Sequence, residues 1–295
     1  MRPNLIFANP TSGRGRGAKV LSQTLAYLDS EQLRYNVIAA SSLEASLVEL
    51  GRRNLSEFER CLVIGGDGMM HHAVNAIAAS DEGSGLPIGL IPAGTGNDFA
   101  RALGLDIKVP VRNIDLYLSQ PPLPIDLGEV NGRRFGAICS TGFDSIVNER
   151  ANSMGWPRGK RKYDIAMLQE LPRFKPRRYQ ISIDGRTMEV TAMLIAVGNG
   201  SSYGGGMKVC PNADLRDGQL DVMILHPVPK REFLRIFPKV YSGAHVSHPQ
   251  VEIIRGESIS IIGDAITYAD GERIAPTPVT INVRKGALLS WMRHE

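Results

Sequence analysis

Cysteine is scarce: three residues, Cys61, Cys139 and Cys210, stand far apart in a chain of 295. They match neither a zinc spacing nor a disulfide framework, so the expected compartment is reducing. Long hydrophobic runs are also missing. No apolar stretch approaches the roughly 18 residues that a membrane span needs. Met1-Arg2-Pro3 passes straight into a short strand-like segment, so no leader is expected and the location read is cytoplasmic. Charge of one sign is lacking as well, with 34 Lys and Arg against 30 Asp and Glu, a formal net charge of +4. That balance is too even for a nucleic-acid partner, and it suits anionic small molecules or an anionic membrane surface. There are no internal repeats or low-complexity tracts. The apolar fraction of 43% is that of a globular protein, and the length allows two ordinary domains or one large one.

What is present is glycine at the ends of apolar strands. Leu62-Val63-Ile64-Gly65-Gly66-Asp67-Gly68 reads as a buried strand running into a turn, where Gly permits close backbone approach. Asp67 stands among bare N–H groups, which suits a phosphate on the amides and a divalent cation on the acid. A tight turn with a capping Asp accounts for the same residues. Leu5-Ile6-Phe7-Ala8 likewise breaks into Asn9-Pro10-Thr11-Ser12-Gly13-Arg14-Gly15-Arg16-Gly17, followed by helical spacing at Val20, Leu21, Leu25 and Leu28. Strand, glycine loop, helix is a phosphate-binding order, although the Gly-Lys-Ser/Thr ending of a Walker A loop is absent; a solvated basic loop is the plainer alternative. Pro87 to Pro92 forms another strand and ends in Ala93-Gly94-Thr95-Gly96-Asn97-Asp98. Asn97 or Asp98 is expected to cap the next helix, and the Thr95 hydroxyl to meet a phosphate or close a side-chain turn. Tyr35 to Ala39 adds a strand, and Leu43 to Leu50 and Met69 to Ala79 add helices. This alternation implies a parallel sheet whose three glycine loops open on one edge, the edge where ligands bind.

Composition shifts after Ser119. Pro121-Pro122-Leu123-Pro124 breaks the helical pattern, which places a domain boundary between 1–120 and 121–295. Beyond it, strands are expected over Tyr179 to Ile183, Met188 to Val197, Leu220 to Leu225 and Val251 to Ile262, with a hairpin at Val130-Asn131-Gly132-Arg133. Helices are expected near Phe143 to Ala151, Asp164 to Leu171 and Lys230 to Tyr241. Pro211-Asn212-Ala213-Asp214-Leu215-Arg216-Asp217-Gly218 is an acid-rich connection in which Asp217 could hold a hard cation or simply close an Asp-Gly turn. In Tyr268-Ala269-Asp270-Gly271-Glu272, two carboxylates flank a Gly, a spacing that fits one acid on a metal and one accepting a proton, or an ordinary hairpin. Arg158-Gly159-Lys160-Arg161-Lys162, beside Trp156 and followed by Arg173, Lys175, Arg177 and Arg178, is either a membrane-docking surface or a solvated basic face.

Taken together, Asn9 to Gly13, Gly65 to Gly68, Pro92 to Arg101, Val197-Gly198-Asn199-Gly200 with Gly204 to Met207, Asp217-Gly218 and Asp270-Gly271-Glu272 resemble the soluble bacterial diacylglycerol kinase family. That family shares its catalytic domain with sphingosine and ceramide kinases, and the order of motifs matches from residue 5 to about 285. The resemblance implies an N-terminal α/β Rossmann-like nucleotide domain, a β-rich, β-sandwich-like C-terminal domain, and an active site in the cleft between them. It implies a lipid kinase using ATP and Mg²⁺. The lipid is diacylglycerol or a related membrane alcohol, met by peripheral contact with the membrane; a homodimer is compatible with the pattern. Nucleotide contacts would fall on Asn9, Pro10, Thr11, Ser12, Gly13, Ser41, Gly65, Gly66, Asp67, Gly68 and Thr95. A metal would take the Asp217 carboxylate with main-chain oxygens of Asp214 and Gln219, and Glu272, supported by Asp270, would accept the proton. Asp126, in Ile125-Asp126-Leu127-Gly128, resembles a further acidic position of the family.

One departure stands out. The family pattern continues Gly-Gly-Asp-Gly with Thr and a Glu three residues later, whereas this chain continues Met69-Met70-His71-His72. A hydroxyl and an acid beside the phosphates are thereby lost. The two histidines point apart on a helix and are expected at its surface or at the core edge rather than on a metal. The alternatives to a lipid kinase are a kinase of a soluble alcohol such as NAD, and a nucleotide-binding regulatory protein without turnover.

Overall fold

Strand and helix alternate through the first third of the chain as β1 (Asn4–Ala8), α1 (Ser12–Ser30), β2 (Tyr35–Ile38), α2 (Leu43–Gly51), β3 (Cys61–Gly65), α3 (Asp67–Ala78) and β4 (Ile88–Pro92). The computed structural model describes residues 2–40, 42–80, 85–156 and 160–293, with the side chains at 160, 161 and 164 outside that set. All sheet pairs here are parallel, in the order β2-β1-β3-β4. Every residue of β1, β3 and β4 is buried, as in strands covered on both faces. Ala8 pairs with Ile64, and Ile64 with Ile91, so the three strands end level and release their glycine loops on one edge. Short helices α4 (Asp98–Ala102) and α5 (Asn113–Ser119) follow.

The remainder opens with β5 (Leu123–Val130), β6 (Arg133–Phe135), β7 (Ile138–Gly142), α6 (Phe143–Ser153), α7 (Lys160–Glu170), β8 (Arg177–Ile183), β9 (Arg186–Ala192) and β10 (Leu194–Gly198). It closes with β11 (Leu220–Leu225), α8 (Lys230–Ile236), β12 (Val251–Gly256), β13 (Ser258–Gly263), β14 (Ile266–Ala269), β15 (Glu272–Pro276) and β16 (Val279–Ser290). These strands form two six-stranded sheets, β12-β11-β10-β7-β14-β15 and β6-β5-β16-β13-β8-β9. Alternation along the strands sorts their side chains. Ile195, Val197, Val222 and Ile224 join Tyr179, Ile181, Ile259 and Ile281 in one core. Their sequence neighbours Ala196, Met223 and Leu225 join Phe143 of α6, Met167 of α7 and Phe233 of α8 in another. The first sheet is therefore faced by sheet on one side and by helices on the other. The Asn131-Gly132 hairpin forms as expected, with φ of 48° and 78° and Val130 opposite Arg133.

Three differences from the sequence reading have local causes. The segments 188–197 and 251–262 are each two strands, because the chain crosses from one sheet to the other at Met193 and at Glu257. At the second crossing the Asp184 carboxylate accepts from Glu257 N and Ser258 N at 3.0 and 2.9 Å and fixes the corner. The helix expected to reach Tyr241 ends at Ile236 and continues as a 3₁₀ turn over Phe237–Ser242, where Pro238 supplies no N–H. The expected division into 1–120 and 121–295 also needs correction. The two compact units are Met1–Ile125 with Gly286–Glu295, and Asp126–Lys285.

The returning tail is built into the first unit. Trp291 is 3% exposed, its ring centroid lies 5.0 Å from that of Tyr117, and its Nε1 donates to Gln120 O at 2.8 Å. Ser290 Oγ donates to Ile88 O, and Arg293 N to Leu103 O. Trp291→Ala should therefore lower unfolding free energy in urea by about 3 kcal/mol or more. A loss below about 1 kcal/mol would mean that the tail is not part of that core.

Candidate active site

The first unit brings its glycine loops into backbone contact and braces them with a few side chains. Asn9 N donates to Ile64 O at 3.1 Å, tying the first loop to β3. The Asn9 Oδ1 accepts from Thr11 N and Thr11 Oγ1 at 3.0 and 2.7 Å, closing an Asx turn through Pro10. Ser12 N then donates to Asn9 O, and Gly13, Arg14 and Gly15 follow in left-handed conformation before the helix proper begins. A Cβ on Gly13 would lie 2.1 Å from Ala93 O, so the first loop presses against the third. Gly66 and Gly94 also face one another without room for a side chain, since a Cβ on Gly94 would sit 2.4 Å from Gly66 Cα. Ala93 N and Gly94 N both donate to Gly65 O, at 2.7 and 3.2 Å.

Asp67 completes the joint. Its Oδ1 accepts from Phe99 N at 2.9 Å, so an acid in the first turn of α3 caps α4. A Cβ on Gly96 would lie 2.6 Å from Asp67 Oδ2, which explains why the intervening residue is glycine. The helix cap expected from Asn97 or Asp98 is thus supplied from elsewhere. Asn97, at φ 59°, turns its side chain back to accept from Gly94 N at 3.0 Å and donate to Gly94 O at 2.9 Å. Gly68 lies in the first turn of α3, and Thr95 is exposed at the rim of the third loop. Asn9 to Gly13, Gly65 to Gly68 and Ala93 to Asn97 are therefore brought together, whereas Ser41 lies outside the described residues. Bare backbone with no room for Cβ at three facing positions fits the polyphosphate of a nucleotide. The departure at Met69-Met70-His71-His72 is absorbed by packing: Met69, Met70 and His71 are buried, and the two imidazoles meet edge to face at 5.5 Å.

The second unit organises its acids around a chain of hydrogen bonds. Asp270, at φ 51°, precedes Gly271 at φ 86° in the β14–β15 turn. Its Oδ2 accepts from Gly136 N at 2.8 Å and its Oδ1 from Ala137 N at 2.9 Å. The Asp270 carboxylate therefore clasps the backbone and orients the hairpin. That role differs from the metal or proton chemistry considered for it from sequence. Asn199 Nδ2 donates to Gly136 O and to Asp126 O, both at 2.9 Å. Asp126 in turn accepts from Gly218 N at 2.7 Å. Clasp, Asn199, Asp126 and the acidic loop thus form one network, which gives Asp126 a structural role. Glu272 begins β15 opposite Ala269, half-buried. Burial first, and then the charge of Glu272, push the Tyr163 phenol up, which puts the two side chains in electrostatic reach.

The one carboxylate of the implied metal set, Asp217, already has both oxygens engaged. Asp217 Oδ1 accepts from Gln219 N at 3.0 Å, and its other oxygen is paired with the Arg255 guanidinium. Asp214 Oδ1 accepts from Arg216 N at 3.0 Å. Among the described residues no group of three or more side chains is arranged to hold a metal ion.

Asp144 escaped the sequence reading, because an acid in the first turn of a helix looks like a cap. It is 8% exposed on α6, bonded by the Ser140 hydroxyl, and its Oδ1 is buried with no hydrogen-bond partner among the described residues. Burial pushes its carboxyl up to about 6, against the opposing hydrogen bonds from Ser140 and Tyr203.

Residues 3–130 match the "Diacylglycerol kinase catalytic domain", and residues 137–290 match the "YegS C-terminal NAD kinase beta sandwich-like domain". A diacylglycerol kinase of Mycobacterium tuberculosis (strain CDC 1551 / Oshkosh) is 38% identical over 290 residues, 96% of this chain and 92% of the relative. The chain belongs to the diacylglycerol kinase family. A diacylglycerol kinase of Bacillus subtilis (strain 168) is 29% identical over 262 residues, 88% of this chain and 86% of that one. In crystal structures, a diacylglycerol kinase of Bacillus anthracis str. Sterne shares the fold at a TM-score of 0.76 and 22% identity, covering 99% of this chain and 97% of that one. Membership makes the protein a kinase-type phosphotransferase that uses ATP, with an α/β domain followed by an antiparallel β-rich domain. No described helix is long and apolar enough to cross a membrane.

The buried acid generates a pH prediction. The unfolded chain releases the Asp144 proton near an ordinary carboxylate value, about pH 4, and the folded chain near about 6. The folded state binds more protons in between, so stability should fall as pH rises through that window. Asp144→Asn should remove this fall, gaining on the order of 3 kcal/mol relative to the parent between about pH 4 and pH 7. A parent-minus-variant difference that stays flat across those pH values would show that Asp144 does not titrate there.

Proposed function

We propose that the protein transfers the γ-phosphoryl group of ATP to the hydroxyl of a membrane lipid, diacylglycerol before others, giving phosphatidate and ADP. The observation that carries this reading is the mutual contact of three glycine loops with no room for Cβ at Gly13, Gly66 and Gly94. A 38% identity to a diacylglycerol kinase, over a region covering 96% of the chain, supports the choice of acceptor. Phosphoryl transfer demands placement and charge neutralisation more than covalent chemistry, and backbone amides supply both to the phosphates. ATP enters as its Mg²⁺ complex. The lipid oxygen attacks the γ-phosphorus as the bond to the β-phosphate oxygen breaks, and Glu272 takes the hydroxyl proton. Asp270 holds the hairpin that carries Glu272, so it acts as a positioning residue.

The lipid lies in a bilayer, and Trp156 at 81% exposure and Leu168 at 56% offer apolar contact, with Arg173 lining the same surface depression as Leu168 and Lys175 exposed two residues on. Arg158 and Gly159, and the side chains of Lys160 and Arg161, lie outside the described residues. Arg177 is turned onto Asp264 O and is spoken for. Trp156, Arg173 and Lys175 would then dock on anionic headgroups.

The decisive assay supplies labelled ATP and Mg²⁺ with diacylglycerol in anionic vesicles, and separately with NAD. Label should enter the chloroform phase, and should fall when Trp156 becomes Ala. In single turnover Glu272→Gln should lose at least about 10²-fold in rate with little change in ATP affinity. Transfer only to NAD would replace the lipid reading, and ATP binding without transfer to either would favour a regulatory protein. A near-normal single-turnover rate for the Gln variant would remove Glu272 from the mechanism.

A further inference from the structure

We propose that the Arg255 guanidinium takes the place of a structural divalent cation beside the acidic loop 214–219, so that this chain folds that loop without metal. Arg255 and Asp221 are direct partners across the antiparallel β11–β12 pair, so the backbone register fixes the guanidinium in place. Its Nε donates to Asp221 Oδ1 at 3.0 Å, and a terminal nitrogen pairs with Asp217 Oδ2. One planar fork thus spans two carboxylates four residues apart, a geometry that an ammonium could not supply. The Asp221 side chain is 3% exposed, so its charge requires a fixed partner. A second cation lies over the same loop: Lys285 Nζ would be 3.3 Å from a Cβ on Gly218, and it is held by Glu257 Oε1 at 2.7 Å.

These positions decide against a divalent ion. To bind Asp217 it would have to displace the terminal nitrogen of Arg255, placing two positive charges beside a guanidinium that the register keeps on Asp221 and close to a lysine ammonium. The remaining Asp217 oxygen already accepts from Gln219 N. The loop shape that presents Gly218 N to Asp126 therefore rests on an internal cation. Divalent metal remains a requirement of the nucleotide alone.

Thermal melting tests this without nucleotide or lipid, so the outcome is independent of which alcohol the enzyme phosphorylates. The parent protein should melt within about 1 °C in EDTA and in millimolar Mg²⁺ or Ca²⁺. Arg255→Met should lose about 4 °C or more in EDTA and recover at least half of it with either cation, because the vacated carboxylates then accept one. A rise of several degrees in the parent on adding Mg²⁺, abolished in Asp217→Asn, would overturn the proposal. So would an Arg255→Met variant that melts like the parent, or one that loses stability with no recovery by metal. If Arg255→Met does not fold, the parent and Asp217→Asn decide alone.

Discussion

Two glycines face each other across the ends of β3 and β4 with no space for a methyl group, and the joining of the glycine loops in the first unit depends on that contact. A Cβ on Gly94 would stand 2.4 Å from Gly66 Cα, well inside any tolerable separation. Because the backbones touch, Gly65 O can accept from both Ala93 N and Gly94 N, and Asp67 can reach Phe99 N. Gly13 extends the contact to the first loop through Ala93 O. The result is a surface of bare main chain, the kind that a phosphate can approach closely.

The second unit solves a different problem, that of holding acids in defined roles inside an antiparallel sandwich. Asp270 spends both carboxylate oxygens on Gly136 and Ala137, and Asn199 carries the connection on to Asp126 and hence to Gly218. Glu272, two residues beyond Asp270, is left on a braced hairpin. The backbone has claimed the Asp270 carboxylate, while Glu272 sits half-buried at the start of β15.

Much of this was legible in the sequence, for a physical reason. Strand, glycine loop and helix are local patterns, and the parallel alternation then forces the three loops to one edge. Asn131-Gly132 is equally local and forms the hairpin it announces. What stayed hidden depends on distant partners. The Asp270 carboxylate accepts from amides 134 and 133 residues away, a bracing role that its spacing to Glu272 does not reveal. Arg255 on Asp217 and the return of Trp291 to the first unit are likewise invisible without the sheet register. The crossing at Met193 leads straight into apolar Leu194 to Val197, so periodicity alone cannot find it, whereas the polar Arg255-Gly256-Glu257 marks the second crossing only as a break within one β segment. Asp144 differs again, since only its burial distinguishes it from a surface cap.

The most direct measurement is calorimetric ATP binding to Gly94→Ala beside Gly51→Ala. Neither glycine is at positive φ, and a Cβ at Gly51 meets nothing within 4 Å, so the pair isolates space at the loop contact from any general effect of alanine. Folded Gly94→Ala should bind ATP at least about tenfold more weakly, a loss of about 1.4 kcal/mol, while Gly51→Ala binds like the parent. Undiminished ATP affinity in Gly94→Ala would contradict the account that backbone contact between these loops shapes the nucleotide site.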